Sequence, residues 1–326
     1  MTGARGRVCV GLQGAGTYGA YTWGVLDRLL DEEDLLFDSI SGCSSGAINA
    51  VVLADGYARG GGRRGAQQAL RRFWTALGQA MLMSPLQRTP LDHLAGGWTM
   101  EFSPAYQMLE MAGAAVGPVP DMPFSQNPLH NLLAVLVDFE RVRACEELEL
   151  FIGATNVRSG AGRIFTRDEM DAQKVMASAC LPTVFAGVRI DGEAYWDGSY
   201  VANPPLAPFL LRDDADVIIV RNNPIARQHA PRNMADIANR SNEIAFNISF
   251  LREVAALPQG QPRLHMISGI ELLGGYGISS KLNAEPRFLR HLHDEGHAAA
   301  TRWLARHAGQ IGLASTLEIL QDYSVA

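Results

Sequence analysis

The chain has 326 residues, of which 47% are hydrophobic, so it is long enough to bury a sizeable core in one large domain or two smaller ones. Its 28 basic and 34 acidic residues give a formal net charge of -6. This balance excludes the basic footprint of a nucleic-acid-binding protein and gives no strong overall attraction to anionic lipid.

The first part of the chain alternates predicted strands and helices. Residues 8–12 predict a buried strand, and residues 18–30 carry apolar side chains at helical spacing. Residues 37–40 predict a second strand, and the small and apolar residues that follow predict a helix running to about Tyr57. This βαβα order predicts an α/β fold of three layers, α/β/α, with a mainly parallel central sheet.

The rest of the chain divides into a less regular stretch and a helical end. Residues 60–65 are glycine-rich and predict a flexible connection, and residues 81–128 hold six of the 11 methionines. Further strands are predicted at 148–154, 162–166, 188–190, 194–196 and 217–220. After about 225 the pattern is mostly helical, and the apolar face of a late helix with Phe288 and Trp303 predicts docking on the core.

The cysteine pattern and the start of the chain bear on location. The four cysteines are Cys9, Cys43, Cys145 and Cys180. None has metal-ligand spacing, so reduced, buried thiols are expected, and they favour a cytosolic protein. Neither a signal-peptide core nor an apolar run long enough to span a bilayer is present. We therefore predict a cytoplasmic protein without a metal or other cofactor, and peripheral, transient contact with a membrane surface is the alternative.

A Gly-x-Ser-x-Gly pentapeptide, Gly42-Cys43-Ser44-Ser45-Gly46, lies between the second predicted strand and its helix. A serine on such a sharp turn presents its hydroxyl as a nucleophile. Gly42 and Gly46 allow the turn to close and the helix to approach the strand. Ser44 is therefore the predicted nucleophile of an acyl hydrolase or transferase.

A second glycine motif, Gly14-Ala15-Gly16-Thr17-Tyr18-Gly19, follows the first predicted strand. It matches the Gly-x-Gly-x-x-Gly pattern of dinucleotide-binding proteins, and it equally suits an oxyanion hole serving Ser44. The dinucleotide interpretation requires an acidic residue that closes the second strand, whereas Asp38 begins it. Both glycine turns are expected at the same edge of the sheet, where open α/β folds bind ligands.

The nucleophile requires a base. The late histidines that could serve are His229, His265, His291, His293, His297 and His307. None of them lies on an evident strand-end loop, and each is better explained as a surface or structural histidine. Asp197 directly follows an apolar strand and precedes Gly198, so it is the better partner, although an ordinary Asp-Gly turn has the same pattern.

Three blocks of this sequence resemble the patatin-like phospholipases. The first is residues 10–19 with Gly24-Val25-Leu26, the second is residues 42–47, and the third is residues 177–182 leading to Asp197-Gly198 and Asn203-Pro204-Pro205. They occur in the family's order and span about residues 8 to 205. The resemblance implies a lipid acyl hydrolase of phospholipase A or lysophospholipase type, with a Ser44–Asp197 dyad, an acyl-Ser44 intermediate and an oxyanion hole at Gly14, Ala15 and Gly16.

The resemblance also implies a domain organisation. A catalytic α/β domain is expected over residues 1–225, with an insertion or lid at about 81–128 that accommodates a lipid or acyl-ester substrate. A mostly helical extension over 226–326 would pack on it. The alternatives are a Rossmann-type dinucleotide-binding protein and a catalytically inactive patatin-like binding module.

Three positions depart from the family's pattern. Ala15 stands where a third glycine is usual, so its backbone is expected to avoid positive φ. Tyr18 stands where Arg or Lys is common, which removes a positive charge near the oxyanion site and argues against a preference for anionic phospholipid. Ser199 replaces the usual Gly or Ala after Asp197-Gly198 and is still small.

Overall fold

Two parallel strands, β1 (Gly6–Leu12) and β2 (Leu35–Gly42), form the centre of an eight-stranded sheet. The computed structural model describes residues 6–116, 128–182, 187–212, 215–227, 230–231, 234–258 and 260–317. The remaining strands are β3 (Glu149–Asn156), β4 (Gly162–Thr166), β5 (Val188–Ile190), β6 (Glu193–Asp197), β7 (Asp216–Arg221) and β8 (Arg263–Ser268). All strands predicted from the sequence are therefore present, and β8 was not predicted.

The sheet has the order β5-β6-β3-β2-β1-β7-β8, and β4 pairs with β3 outside this path. Strands β3, β2, β1, β7 and β8 run parallel to one another. The pairs β3–β4, β3–β6 and β5–β6 are antiparallel. The sheet is thus mainly parallel, and the carboxyl ends of β1 and β2 lie side by side, with Leu12 paired to Gly42.

Helices cover both faces of this sheet, which gives the predicted three-layer α/β fold. Their bounds are α1 (Gly19–Leu30), α2 (Ser45–Gly56), α3 (Gly62–Leu82), α4 (Pro90–Ala95), α5 (Pro104–Val116), α6 (Pro128–Leu136), α7 (Phe139–Arg143), α8 (Ala172–Ser178), α9 (Met234–Ala255), α10 (Ile270–Gly274) and α11 (Pro286–His307). The predicted flexible connection at 60–65 is wrong in part: the chain kinks at Gly60, which has a φ of 93°, and α3 already begins at Gly62, which has a φ of 51°.

Alternate residues of the central strands enter two separate hydrophobic cores, because successive side chains of a strand point to opposite faces. Val10 and Ile218 lie in the larger core with the helices α1, α2, α3 and α11. Cys9 and Ile219 lie in the smaller core with Phe250 of α9. Strands buried on both faces explain why β1 and β7 appear in the sequence as continuous apolar runs.

The segment after residue 225 contributes to both faces of the same sheet. Strand β8 pairs with β7 over its whole length, from Asp216–Arg263 to Arg221–Ser268. Helix α11 packs against α1 and buries Phe288 and Trp303, as its apolar face predicted. The domain boundary at 225 stays a prediction, and the sheet continues across it. Within the described ranges, no helix is both long and apolar enough to cross a membrane.

Candidate active site

Ser44 occupies a strained turn between β2 and α2. Its φ of 53° and ψ of −126° are unusual for a residue with a side chain. A Cβ on Gly42 would lie 2.7 Å from the carbonyl carbon of Gly46, and one on Gly46 would collide with the carbonyl oxygen of Leu12. Glycine is therefore required on both sides of Ser44, and the half-buried Ser44 side chain is presented at the carboxyl edge of the sheet.

Asp197 lies at the end of β6, and its side chain is buried. Its backbone is fixed on both sides: its N–H donates to the carbonyl of Cys180 at 2.8 Å, and its carbonyl accepts from the Thr155 hydroxyl at 2.8 Å. The Ser44 hydroxyl lies close enough to the Asp197 carboxylate to lower its pKa. The two predicted residues, which are 153 positions apart in the sequence, are thus brought together.

The environment of Asp197 sets its protonation. Burial raises the pKa of the Asp197 carboxyl to about 6, although the Ser199 backbone N–H and the Ser44 hydroxyl oppose the shift by hydrogen bonding. The Ser199 N–H lies 2.9 Å from Oδ1 of Asp197. A carboxylate with this pKa is ionised at neutral pH and is a stronger base than an exposed aspartate, which suits it to accept a proton from a hydroxyl.

The turn at Ser44 is also held by hydrogen bonds to the end of α8. The Ser44 backbone N–H donates to the carbonyl and to the hydroxyl of Ser178, each at 3.1 Å. Ser178 is the last residue of α8 and is buried. This contact connects the end of the predicted Ala-Ser block to the serine turn and helps to hold the unfavourable dihedral angles of Ser44.

The glycine loop lies directly beside Ser44, but two of its backbone N–H groups have partners within the chain. Gly14 N–H donates to Oδ1 of Asn203 at 2.8 Å, and Ala15 N–H donates to Oγ of Ser45 at 3.1 Å. Ala15 has a φ of −162°, as expected for a residue that must avoid positive φ, and the positive φ of 60° falls on Gly16. The involvement of all three N–H groups in oxyanion binding stays a prediction.

In the part of the chain that the structure describes, one N–H group of the glycine loop and one at the start of α2 stand out as without a hydrogen-bond partner. They belong to Gly16, which is exposed, and to Ser45, the first residue of α2. The Ser45 N–H was not predicted as an oxyanion donor. The position of Ser45 in the sequence could have indicated this role. The residue that follows a serine nucleophile is the first residue of a helix, so its N–H is unpaired and lies at the positive end of the helix dipole.

Buried amides whose role was not predicted from the sequence hold the glycine loop in place. Nδ2 of Asn223 donates to the Gly14 carbonyl at 2.8 Å, and the Gln13 side chain donates to the Asn203 carbonyl at 3.0 Å. Oε1 of Gln13 in turn accepts from the backbone N–H groups of Asn222 and Asn223. The loop is thus fixed by residues that follow β6 and β7, far away in the sequence.

The histidines considered as bases have other partners. His265 is buried at the start of β8 and hydrogen-bonds Asp216 at 2.8 Å. His291 contacts the Tyr276 hydroxyl at 2.6 Å, and His293 contacts Asp27 at 2.9 Å. His297 and His307 are exposed or half-buried on α11, and His229 lies outside the described residues.

Asp38, the acidic residue of the dinucleotide interpretation, is engaged at the opposite edge of the sheet. It forms ion pairs with Arg7 at 3.1 Å and Arg212 at 3.3 Å. These residues line a cavity of about 430 Å³ beside the amino ends of β1 and β7, away from the glycine loop. Among the described residues, no group of three or more His, Cys, Asp or Glu side chains is placed to hold a metal ion.

Tyr18 is fully buried and its hydroxyl lies 2.7 Å from the Ser280 hydroxyl. The ammonium group of Lys281 lies 5.9 Å from the centre of the Tyr18 ring. The glycine loop therefore has no positive charge at position 18. The Lys281 ammonium, from the segment before α11, lies beside this position instead.

The described part of the predicted lid carries much of the exposed apolar surface. Met83, Met108 and Met111 are exposed, whereas Met100 is buried. The segment is joined to the site region through Thr99, whose hydroxyl lies 2.9 Å from the Ser279 hydroxyl. Residues 117–127, including the methionine and the phenylalanine of that stretch, lie outside the described residues, so a lid over 81–128 stays a prediction.

A family comparison decides the assignment. The model of the patatin-like phospholipase family matches residues 11–210, which include the glycine loop, Ser44 and Asp197. The chain belongs to the patatin-like phospholipase family. The match covers more than half of the chain and the whole set of site residues predicted above.

Three solved structures are similar to this chain at low identity, and the chain spans between 54% and 67% of their lengths. VipD from Legionella pneumophila is 14% identical with a TM-score of 0.47, over 92% of this chain and 67% of that one. The type III effector protein ExoU is 19% identical with a TM-score of 0.35, over 94% of this chain and 54% of that one. The ExoU–SpcU complex of Pseudomonas aeruginosa is 15% identical with a TM-score of 0.29, over 93% and 61%. No curated protein sequence matches the chain.

Proposed function

We propose that this protein is a serine acyl hydrolase that cleaves ester bonds of lipids through an acyl-Ser44 intermediate, with Asp197 as the base. The observation that carries the proposal is the position of the half-buried Ser44, on its strained strand-to-helix turn, beside the buried Asp197 carboxylate, whose pKa the Ser44 hydroxyl lowers. Membership of the patatin-like phospholipase family supports a lipid as the acyl donor. The action resembles that of phospholipase A or a lysophospholipase.

In the first half of the reaction, Asp197 takes the hydroxyl proton of Ser44 as Oγ attacks the ester carbonyl. The tetrahedral intermediate then collapses, the ester C–O bond breaks, and the protonated Asp197 gives its proton to the leaving alkoxide. In the second half, Asp197 takes a proton from water, which attacks the acyl-Ser44 ester. The acid leaves, and the proton returns to Ser44.

The negative charge that develops on the carbonyl oxygen requires donors. The N–H groups of Gly16 and Ser45 are the best placed to supply them, because neither has another partner among the described residues. The N–H groups of Gly14 and Ala15 would join them only if Asn203 and Ser45 released them. Loss of one such donor typically lowers the rate roughly 100- to 1,000-fold.

We propose that the exposed apolar part of residues 81–116 contacts the acyl chains. Met108 and Met111 lie exposed on α5, and flexible methionine side chains adapt to chains of different length. Replacing both with serine should change the preference among acyl chain lengths more than the rate on a short-chain ester. An unchanged chain-length preference would count against this role.

The proposal is tested by active-site labelling and turnover. The protein should react with a serine-directed fluorophosphonate, mass spectrometry should locate the adduct on Ser44, and a fluorogenic phospholipid should be hydrolysed. Ser44→Ala should lose both reactions, and Ser41→Ala, at a buried serine of β2 outside the turn, is the matched control. Activity retained by Ser44→Ala would overturn the mechanism, and an unlabelled, inactive protein would support an inactive binding module.

A further inference from the structure

Three cationic side chains converge on one buried carboxylate, that of Glu243 in α9. Arg227 contacts Oε2 of Glu243 at 3.1 Å, Arg240 at 3.2 Å, and Lys281 contacts Oε1 at 2.8 Å. Burial alone would raise the pKa of Glu243, but the ammonium of Lys281 and the guanidinium of Arg227 lower it to about 2. Glu243 is therefore ionised. Its single negative charge neutralises one of the three positive charges around it. We call these four residues the Glu243 cluster.

The Glu243 cluster adjoins the glycine loop. The Lys281 carbonyl lies directly against Gly16, where a Cβ would be 2.5 Å from it, and the Lys281 ammonium faces the ring of Tyr18. The Thr17 hydroxyl donates to the carbonyl of Ser280 at 3.0 Å. The positive charges thus lie beside the loop that flanks Ser44, although none of them comes from the loop itself.

The cations keep hydrogen-bonding capacity for another anion. In the part of the chain that the structure describes, the Lys281 ammonium donates to Glu243 alone, whereas an ammonium group has three N–H donors. Arg240 donates to Glu243 and to the Ile225 carbonyl. The Arg240 side chain is 21% exposed and that of Lys281 16%, so Arg240 is the more accessible of the two to a phosphate oxygen.

A stripe of exposed isoleucines lies on the same face of α9 as Arg240. Ile237, Ile244 and Ile248 are 44%, 46% and 53% exposed. Arg240 lies three residues after Ile237 and four before Ile244, so these side chains are neighbours on the helix surface. Apolar side chains next to cations on one helix face are typical of helices that lie in a membrane interface.

Helix α9 also contacts the segment that carries Asp197. The Ser249 hydroxyl donates to the Ser199 carbonyl at 2.8 Å, and the Tyr200 hydroxyl donates to Asn242 at 2.9 Å. The isoleucine stripe and the Glu243 cluster are therefore attached to both the glycine loop and the Asp197 segment. A lipid held by them would be presented at the edge of the sheet where Ser44 lies.

We propose that α9 and the Glu243 cluster form a docking surface for an anionic phospholipid bilayer, in which Arg240 and Lys281 bind a lipid phosphate and the isoleucine stripe enters the apolar layer. This inference rests on the proposed lipid hydrolase function and specifies its substrate as anionic phospholipid. Charge complementarity decides for this occupant, because the surface is locally cationic on a protein whose net charge is -6. Lys281 supplies, from outside the glycine loop, the positive charge that Tyr18 does not provide.

The test measures binding separately from turnover. The full-length Ser44→Ala protein, which cannot hydrolyse the lipid, is mixed with vesicles of phosphatidylcholine, with or without phosphatidylglycerol, and binding is measured by flotation. The protein should prefer the anionic vesicles. Arg240→Gln together with Lys281→Gln should reduce this preference roughly tenfold or more, since each cation near an anionic surface contributes roughly fivefold. Arg227 remains to neutralise Glu243.

The matched control removes two exposed positive charges from α11, with Arg290→Gln and Arg306→Gln. If this control loses as much preference as the α9 variant, or if the α9 variant keeps its preference, the docking surface is refuted. Ile244→Ser should weaken binding to both kinds of vesicle, whereas Ile164→Ser on β4 should not. Equal binding by Ile244→Ser and its parent would refute the role of the stripe.

Two further measurements distinguish a lipid surface from a soluble-anion site, and failure of the docking surface from failure of the hydrolase. If inorganic phosphate binds the Ser44→Ala protein but vesicle composition has no effect, the cluster is a site for a soluble anion and the lipid assignment is overturned. If the protein with Ser44 intact hydrolyses neither esters nor lipids, the proposed function fails. The flotation result still decides whether the docking surface exists, because it does not depend on turnover.

Discussion

A Cβ atom on Gly14 would lie 2.5 Å from the Cβ of Ser44 and 2.9 Å from the Ser199 hydroxyl. The glycine loop and the serine turn therefore touch at a point where no side chain fits. Since real Cβ contacts do not occur below 3.0 Å, one of the two segments must move if residue 14 gains a methyl group. Either movement displaces Ser44 relative to the glycine loop.

Gly14→Ala is accordingly expected to lower kcat/KM for a short-chain ester at least roughly 100-fold, because small displacements of reacting groups have effects of this order. The measurement is steady-state hydrolysis, with circular dichroism to establish that the variant is folded. Gly61→Ala is the matched control, since a Cβ there meets nothing within 4 Å and its φ is negative. A fully active Gly14→Ala enzyme would show that the loop does not adjoin the reacting atoms.

The pKa of Asp197 predicts how activity depends on pH. The base must be ionised to accept the proton of Ser44, and burial raises its pKa to about 6. We expect log kcat/KM to rise with pH up to about 6 and then to level off, and we expect Asp197→Asn to lose at least roughly 1,000-fold in rate at pH 8. A wild-type profile that is flat between pH 5 and 8 would contradict Asp197 as the base.

The raised pKa of Asp197 also affects folding stability, which should fall as the pH rises, whereas activity should increase. Because the folded-state pKa of Asp197 lies above its ordinary value of 3.8, ionising it costs folding free energy, and this cost grows as the pH rises from about 4 to about 6. Asp197→Asn removes the cost. The melting temperature of the variant relative to wild type should therefore increase between pH 4 and pH 8, and a constant difference would argue against a raised pKa.

The proposed catalytic pair could be named from the sequence because each residue lies in a short local motif. Ser44 is flanked by glycines between a strand and a helix, and Asp197 ends an apolar strand before Gly198. The residues that support the glycine loop have no such local motif: Asn203 is noted only within the resemblance to the family, and Asn223 lies outside its three blocks. Asn203 and Asn223 reach the glycine loop from segments about 190 and 210 positions away, so only the folded chain shows which backbone groups they bind.

Strand β8 illustrates why one element of the fold was missed. A buried parallel strand usually appears as a continuous apolar run, whereas β8 contains Arg263 and His265. The structure explains both residues: Arg263 contacts the Asp216 carboxylate at 2.8 Å and His265 contacts it at 2.8 Å. Polar residues that are neutralised by a partner on the neighbouring strand conceal the apolar pattern on which the prediction depends.

Asp216, Arg263 and His265 form a set of contacts, called here the Asp216 cluster. This cluster predicts a loss of stability in acid. Burial alone would raise the pKa of Asp216, but hydrogen bonds from His265 and Arg263 lower it to about 2. Its contribution to stability is therefore complete above about pH 4 and is lost as the pH falls toward 2. Asp216→Asn should lower the free energy of unfolding at pH 7 by about 3 kcal/mol, because the buried carboxylate that Arg263 and His265 both contact then loses its charge.

Urea unfolding of wild type and Asp216→Asn at pH 7 and at pH 3 measures this effect, and the difference between the proteins should be smaller at pH 3. Asp168→Asn is the control, since its side chain is exposed on the surface and pairs with Arg167. A surface pair of this kind contributes at most about 1 kcal/mol. If both variants had the same small effect, the Asp216 cluster would not stabilise the edge of the sheet.

The backbone of Ser44 predicts a conflict between activity and stability. With a φ of 53° and a ψ of −126°, Ser44 adopts a conformation that glycine takes readily and that costs a residue with a Cβ about 1 to 3 kcal/mol. Ser44→Gly should abolish turnover and raise the melting temperature above that of Ser44→Ala, which keeps the strain. Thermal unfolding of the two inactive variants compares them directly. A Ser44→Gly protein no more stable than Ser44→Ala would show that the turn stores no strain at the nucleophile.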